Sequence, residues 1–244
     1  MLTKNQIKLI TSLKQKKYRM QHQLFVVEGI KGIEEFLNSN FELTQLYSTK
    51  PVFDVKSQLN IIITEEELKK ISNLKSPNTA LGLFKIPYST KVEENELIIV
   101  LDDVRDPGNL GTIIRLCDWF GVNHLVCSEN TVDCFNSKVV QATMGSLTRV
   151  NIVYTNLIDF LAAKKLIKYG TFLEGENIYK AKTESKGIII LGNEANGISK
   201  PIEALIDEKI SIPRFGNIKA TESLNVATAT AICLSEFKRK SIEM

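Results

Sequence analysis

Apolar residues recur at helical spacing between Leu2 and Leu13, where Ile7, Ile10 and Leu13 fall on one face, and this predicts an amphipathic first helix. Leu24–Val27 is a short apolar run closed by Gly29, which reads as a strand, and Ile30–Leu37 returns to a helical period. Leu43–Ser48, Ile61–Ile63 and Ala80–Ile86 read as further strands. Between the last two, Thr64 followed by Glu67 marks a helix start, because a threonine cap and a glutamate three residues on satisfy each other's backbone N–H groups. Strands alternating with helices predict an α/β layer architecture.

The stretch Pro87–Glu96 is polar and aperiodic, and it reads as a connection between domains. Beyond it the alternation restarts, with strands at Leu97–Leu101, His124–Cys127, Arg149–Val153, Thr171–Glu174, Gly187–Leu191 and Ile210–Ile212. Helices are expected at Asn109–Phe120, near Ser137–Ala142, at Leu157–Ile167 and from about Leu224 to Phe237. The predicted organisation is therefore a small α/β domain over residues 1–88, a linker at 89–96, and a domain over 97–244 built on a mostly parallel sheet with helices on both faces.

Composition changes this picture little: 43% hydrophobic and 24% charged residues are ordinary globular values. No apolar run approaches the roughly 18 residues that span a bilayer. The N-terminus scatters lysines among its apolar residues and so lacks the core of a signal peptide, and a cytoplasmic protein with no membrane partner is expected. The four cysteines show no C-x-x-C pairing and the only histidines are His22 and His124, so no metal site is expected. Free thiols in a reducing compartment fit better, and the chemistry is expected to proceed without histidine.

Charge adds more. The net charge of +3 conceals 13 basic against 8 acidic residues in positions 1–90, and 18 against 20 in positions 91–244. Residues 1–27 hold six basic groups and no acid, among them Lys14, Lys16, Lys17 and Arg19. Such clustering suits a polyanion, since each neutralised phosphate releases counterions, and it equally suits a solvated helix face.

Three strand–loop segments carry unusual polar content, and in α/β sheets ligands gather where strands end. The first is LDDVRDPGNLGTIIRLCDWFGV, residues 101–122. Asn109 and Arg115 there lie about 120° apart around an ideal helix, so their convergence requires Asn109 in the loop or cap. Taken alone, the pair is an N-cap and a surface charge. The second is IIILGNEANGIS, residues 188–199, an apolar strand running into Gly192, Asn193, Glu194 and Gly197; it is neither a dinucleotide fingerprint nor a phosphate loop. The third, ISIPRFGNIKATESLNVATATAICLSEF, residues 210–237, leads through Ser223 and Asn225 into a small-residue helix able to pack closely on another backbone.

In this order the segments N-L-G-x-x-x-R, L-G-N-E-x-x-G-I and I-P…S-L-N-V resemble the three motifs of the SpoU (TrmH-like) RNA 2'-O-ribose methyltransferases of the SPOUT superfamily. KYRMQHQLFVVEGIKGIEEFL, residues 17–37, is similar to the substrate-binding domain, akin to a ribosomal protein fold, that often precedes the catalytic domain in that family. The resemblance implies a C-terminal SPOUT α/β-knot with a deep trefoil knot, a homodimer formed through the C-terminal domain, and S-adenosyl-L-methionine as cofactor. It places catalytic roles on Asn109, Arg115, Glu194, Ser223 and Asn225, and cofactor contacts on Leu191, Gly192, Ile212 and Leu224. The stretch 213–222 is longer than the family's usual loop, and Ala227 stands where a serine is common.

On this reading Arg115 stabilises the developing 2'-oxyanion and orients a phosphate, or acts as the base after strong local tuning, because a guanidinium ordinarily stays protonated. Asn109 would orient Arg115 or the ribose, and Glu194 would hold the guanidinium. Ribosomal RNA is favoured over transfer RNA, with a transfer-RNA 2'-O-methyltransferase and an inactive RNA-binding SPOUT protein as the alternatives. Lys14, Lys16, Lys17 and Arg19 are the expected RNA contacts.

Overall fold

The computed structural model describes residues 1–77, 79–216 and 223–242. Residues 217–222, most of the long stretch after Pro213, lie outside the described residues. The chain divides into two compact units, one comprising Met1–Tyr88 with Asp133–Thr148 and the other Ser89–Val132 with Arg149–Met244.

In the first unit, strands β1 (Leu24–Glu28), β2 (Leu43–Ser48), β3 (Asn60–Ile62) and β4 (Ala80–Lys85) form a sheet in the order β1-β4-β2-β3. β4 runs antiparallel to both β1 and β2, and β2 pairs in parallel with β3. Alternation along the strands sends Leu24, Val26, Leu81 and Leu83 into a core that includes Ile10 and Leu13, from and just beyond α1 (Lys4–Ser12), and Leu68 and Ile71 of α4 (Glu65–Ile71). The opposite face is aromatic: Phe25 packs with Phe84, Phe41, Phe135 and Phe36 of α3 (Ile30–Leu37), and Phe84 also with Phe36. The helix start read at Thr64 is present, with Thr64 Oγ1 accepting from Glu67 N and Glu67 Oε2 from Thr64 N.

One element of this unit departs from the expectation. Helix α2 (Lys16–His22) was not anticipated, since its sequence KKYRMQH has no apolar stripe. It is anchored instead by Arg19, whose Nε and Nη2 donate to Asp133 Oδ2 and whose Nη1 donates to the carbonyls of Leu13 and Lys14 at 2.8 and 2.9 Å. The residue is 2% exposed. Its partner belongs to the segment Asp133–Thr148, which carries α6 (Ser137–Thr143) and packs on β1.

In the second unit, strands β5 (Leu97–Leu101), β6 (His124–Ser128), β7 (Asn151–Thr155), β8 (Lys168–Asn177), β9 (Gly187–Leu191) and β10 (Glu208–Ser211) form a wholly parallel sheet, ordered β10-β8-β9-β5-β6-β7. The central strands, LIIVL and GIIIL, are buried along their whole length, as strands covered on both faces must be. Ile98, Val100, Ile188 and Ile190 pack with Leu157 and Leu161 of α7 (Leu157–Ala162) and Ile202 of α8 (Lys200–Glu203). Helix α5 (Pro107–Trp119) packs against α9 (Val226–Ile242). α7 is shorter than the run Leu157–Ile167 suggested, because the chain turns at Ala163.

The polar stretch before β5 is fastened to this unit. Thr90 N donates to Asn151 Oδ1 at 3.1 Å and Asn151 Nδ2 returns to Thr90 O at 3.0 Å. Glu93 N donates to His124 Nε2 at 3.3 Å, Lys164 pairs with Glu94 at 2.8 Å, and Val92 is buried. Among the described residues no helix is long and apolar enough to cross a membrane.

Candidate active site

The central strands β5 and β9 pair in parallel register and end together, Leu101 beside Leu191. The pairing runs one residue further, with Asp102 N donating to Leu191 O at 2.9 Å. Asp102 Oδ2 then accepts from Ser199 N at 2.8 Å, and Asn193 Nδ2 donates to Asp103 O at 2.6 Å. The two loops therefore leave the sheet bonded to each other. This is the crevice beyond the carboxyl ends of parallel strands where ligands of open α/β sheets bind.

The first loop turns into α5 at Asp106, whose Oδ1 accepts from Asn109 N at 2.8 Å, with Pro107 at the first helical position where its missing N–H costs nothing. Asp106 is thus the cap, and Asn109 lies within the first helical turn, not in the loop or cap as expected. Its side chain is free of capping and turns outward to Glu194, with Asn109 Nδ2 donating to Glu194 Oε1 at 2.5 Å.

Asn225 completes the cluster. Its Oδ1 accepts from Ala227 N at 3.0 Å and Thr228 N at 3.2 Å, capping α9. With the oxygen so used, only the amide nitrogen can face Asn109, and Asn225 Nδ2 donates to Asn109 Oδ1 at 2.9 Å. That occupies Asn109's acceptor and directs its own N–H groups at the Glu194 carboxylate. The orphan N–H groups at the start of α9 therefore set the direction of the whole Asn225–Asn109–Glu194 chain.

The other anticipated residues are placed less tightly. Arg115, two turns along α5, is exposed and makes no hydrogen bond or ion pair with a described residue. Glu194 holds Asn109 and not the Arg115 guanidinium, contrary to the role expected of it, because Arg115 lies on a different side of the helix. Ser223 is exposed just ahead of Asn225. Leu191 is buried at the strand end, Ile212 is half-buried, and Leu224 is 47% exposed.

Gly192 has a specific reason to be glycine. A Cβ there would lie 2.1 Å from the carbonyl carbon of Gly197 and 2.2 Å from the nitrogen of Ile198. The loop folds back on itself at this point, with Asn193 N donating to Gly197 O at 3.0 Å and Gly197 N to Asn193 O at 2.8 Å. Gly197 is the residue with left-handed backbone, φ 66°. The space above Gly192 is filled by the chain's own backbone, so its contribution to a ligand site is the shape of the 192–198 loop.

Ile212, half-buried, and Leu224, exposed, are apolar side chains of the kind that cover a planar heterocycle such as the adenine of S-adenosyl-L-methionine. Of the expected RNA contacts, Lys14, Lys16 and Lys17 are exposed in the first unit. Arg19 is not available to phosphate, because Asp133 and two carbonyls take its guanidinium inside the unit.

Residues 96–235 match the model of the SpoU rRNA Methylase family, and residues 4–82 match that of the MRM3-like substrate binding domain. The chain is similar to the 23S rRNA (guanosine(2553)-2'-O)-methyltransferase RlmP of Bacillus subtilis, 30% identical over 238 residues that cover 94% of each protein. It is similar in structure to a TrmH-family protein from Porphyromonas gingivalis, with a TM-score of 0.90 and 36% identity over 98% of this chain and 99% of that one. An AdoMet-bound rRNA methyltransferase from Sinorhizobium meliloti gives a TM-score of 0.87 and 30% identity, over 98% and 96% of the two chains.

Proposed function

We propose that this chain, which belongs to the SpoU rRNA methylase family, is an S-adenosyl-L-methionine-dependent enzyme that methylates a ribose 2'-hydroxyl in ribosomal RNA. The observation that carries the reading is the Asn225–Asn109–Glu194 chain at the carboxyl ends of β5 and β9, with Arg115 on the same helix as Asn109.

Bound S-adenosyl-L-methionine supplies the methyl group. Leu191, Ile212 and Leu224, with the main chain of the loop that Gly192 shapes, would hold it. Displacement at a methyl carbon needs the 2'-oxygen in line, so much of the acceleration comes from positioning. Asn109 is suited to that task because its amide is fixed at both ends. Arg115 is suited to the charge that develops on the 2'-oxygen as its proton leaves, and to a neighbouring phosphate. A guanidinium is a weak proton acceptor, so its role is electrostatic. Ser223, exposed two residues ahead of Asn225, is available for a ribose or cofactor contact.

Residues 1–88 act as the RNA substrate-binding domain, 89–96 as the connection and 97–244 as the methyltransferase domain, which carries the trefoil knot and pairs with a second copy in a cytoplasmic homodimer. Lys14, Lys16 and Lys17 meet RNA phosphates. The test is a map of 2'-O-methyl groups across total RNA from a strain lacking the gene, together with methyl transfer by the purified protein to that RNA. One missing methyl in ribosomal RNA, restored by the protein, supports the reading. A missing methyl in transfer RNA redirects it, and no transfer with no cofactor binding returns the chain to the RNA-binding alternative.

A further inference from the structure

Asp103, in the loop between β5 and α5, has φ 61°, a left-handed conformation that residues with a Cβ avoid. Every polar group it carries is engaged. Its N–H donates to Ser128 Oγ at 2.9 Å and its carbonyl accepts from Asn193 Nδ2 at 2.6 Å. Its two carboxylate oxygens accept from Arg105, Nε to Oδ1 at 2.8 Å and Nη2 to Oδ2 at 2.9 Å. A bidentate grip fixes the plane of a guanidinium as well as its place. The Arg105 side chain nevertheless remains 70% exposed, with Nη1 and one Nη2 N–H unbonded among the described residues.

The position of this cation gives it a use. Arg105 immediately precedes the α5 cap, Asp106, and stands four residues before Asn109. Its holder, Asp103, is tied to Asn193, whose neighbour Glu194 accepts from Asn109. The two loops and the first turns of α5 carry Asp102, Asp103, Asp106 and Glu194 against only Arg105 and Arg115. Asp102 is buried and Asp103 is held by Arg105, so a polyanion entering there meets the exposed carboxylates of Asp106 and Glu194, and the cations facing solvent decide whether it stays.

We infer that Arg105 binds a backbone phosphate of the RNA beside the ribose to be methylated, with Asp103 as the positioning residue that aims it. This rests on the proposed function. The planar fork suits a phosphodiester, because Nη1 and Nη2 can donate to its two free oxygens while Asp103 keeps the other edge.

The experiment uses the full chain and ribosomal RNA from a strain lacking the gene. Arg105→Ala is expected to raise KM for RNA about tenfold and to lower the slope of log K against log salt by about 0.7–0.9, the loss of one phosphate contact. Affinity for S-adenosyl-L-methionine is expected to stay within about twofold on calorimetric titration, because only phosphate binding is removed. Arg105→Lys should restore the slope but only part of KM, since the charge returns without the fork. Asp103→Asn should leave the slope intact and raise KM, since the contact survives but is no longer aimed. Unchanged KM and slope in Arg105→Ala would overturn the inference, as would an equal loss of cofactor affinity, which would mark loop damage. If the unaltered protein transfers no methyl to any RNA, the proposed function fails. The salt slope of binding then still decides the Arg105 contact.

Discussion

Replacing Gly192 with alanine tests the loop on which the cofactor reading depends. The added Cβ would stand 2.1, 2.2 and 2.3 Å from three main-chain atoms of Gly197 and Ile198. Non-bonded carbons settle at about 3.5–4.0 Å, so the two backbone segments must part by roughly 1 Å or more. Main chain cannot swing aside as the end of a flexible side chain can. A separation of that size breaks both bonds of the Asn193–Gly197 pair, now 3.0 and 2.8 Å. At about 1 kcal/mol for each lost bond plus residual strain, the expected cost is about 2–3 kcal/mol. For a chain of this size, that corresponds to a fall in Tm of about 4–12 °C. Thermal unfolding followed by circular dichroism measures the first effect, and calorimetric titration with S-adenosyl-L-methionine the second, expected as a loss of at least about tenfold, roughly 1.4 kcal/mol. An alanine variant that melts with the unaltered protein would refute the steric argument. A lowered Tm with unchanged affinity would remove the 192–198 loop from the cofactor site.

Arg115→Ala is expected to abolish methyl transfer while cofactor affinity stays within about twofold, because the side chain faces solvent and bonds to no described residue; Arg115→Lys should fail too, lacking the planar fork. Arg19→Ala should destabilise the protein by about 3–5 kcal/mol in denaturant unfolding, since it strands Asp133 buried and unpaired; a change below about 1 kcal/mol would show the pair to be dispensable. Replacing Lys14, Lys16 and Lys17 together with alanine should lower the salt slope of RNA binding by up to about 0.7–0.9 per contact at unchanged Tm, whereas a solvated helix face leaves the slope alone. Burial pushes the thiols of Cys117 and Cys233 up to about 12. The unfolded thiols ionise near 9, so stability from these groups is complete below pH 9 and lost as pH rises towards 12; the Cys117→Ala/Cys233→Ala variant should show a shallower alkaline decline in Tm.

What the sequence made legible is what depends on neighbours a few residues away. The apolar runs LIIVL and GIIIL announced the two central strands, and the capping residues at Thr64 and Glu67 announced α4. The polar breaks after those strands located the site. Arg19 was illegible for the opposite reason. Among Lys14, Lys16 and Lys17 it has the composition of a wetted face, and its burial is decided by Asp133, 114 positions on. The polar stretch before β5 shows the same dependence on distant partners. Its composition marks a connection, while Asn151, His124 and Lys164, invisible to composition, supply the partners that pin it.

The same division runs through the site itself. Asn109 and Glu194 are 85 positions apart and Asn109 and Asn225 are 116 apart, and no periodicity links them. What joins them is main chain: strand pairing carried one residue past Leu191, and the N–H groups of Ala227 and Thr228 holding the Asn225 oxygen. Backbone bonds at a strand end and a helix start carry less conformational freedom than a side chain on solvent, so they can fix exposed amides that would otherwise rotate. A substrate can then reach Asn109 and Arg115 from water. The cost of holding Asn109 in one orientation has already been met in folding, which is the condition under which positioning accelerates a reaction.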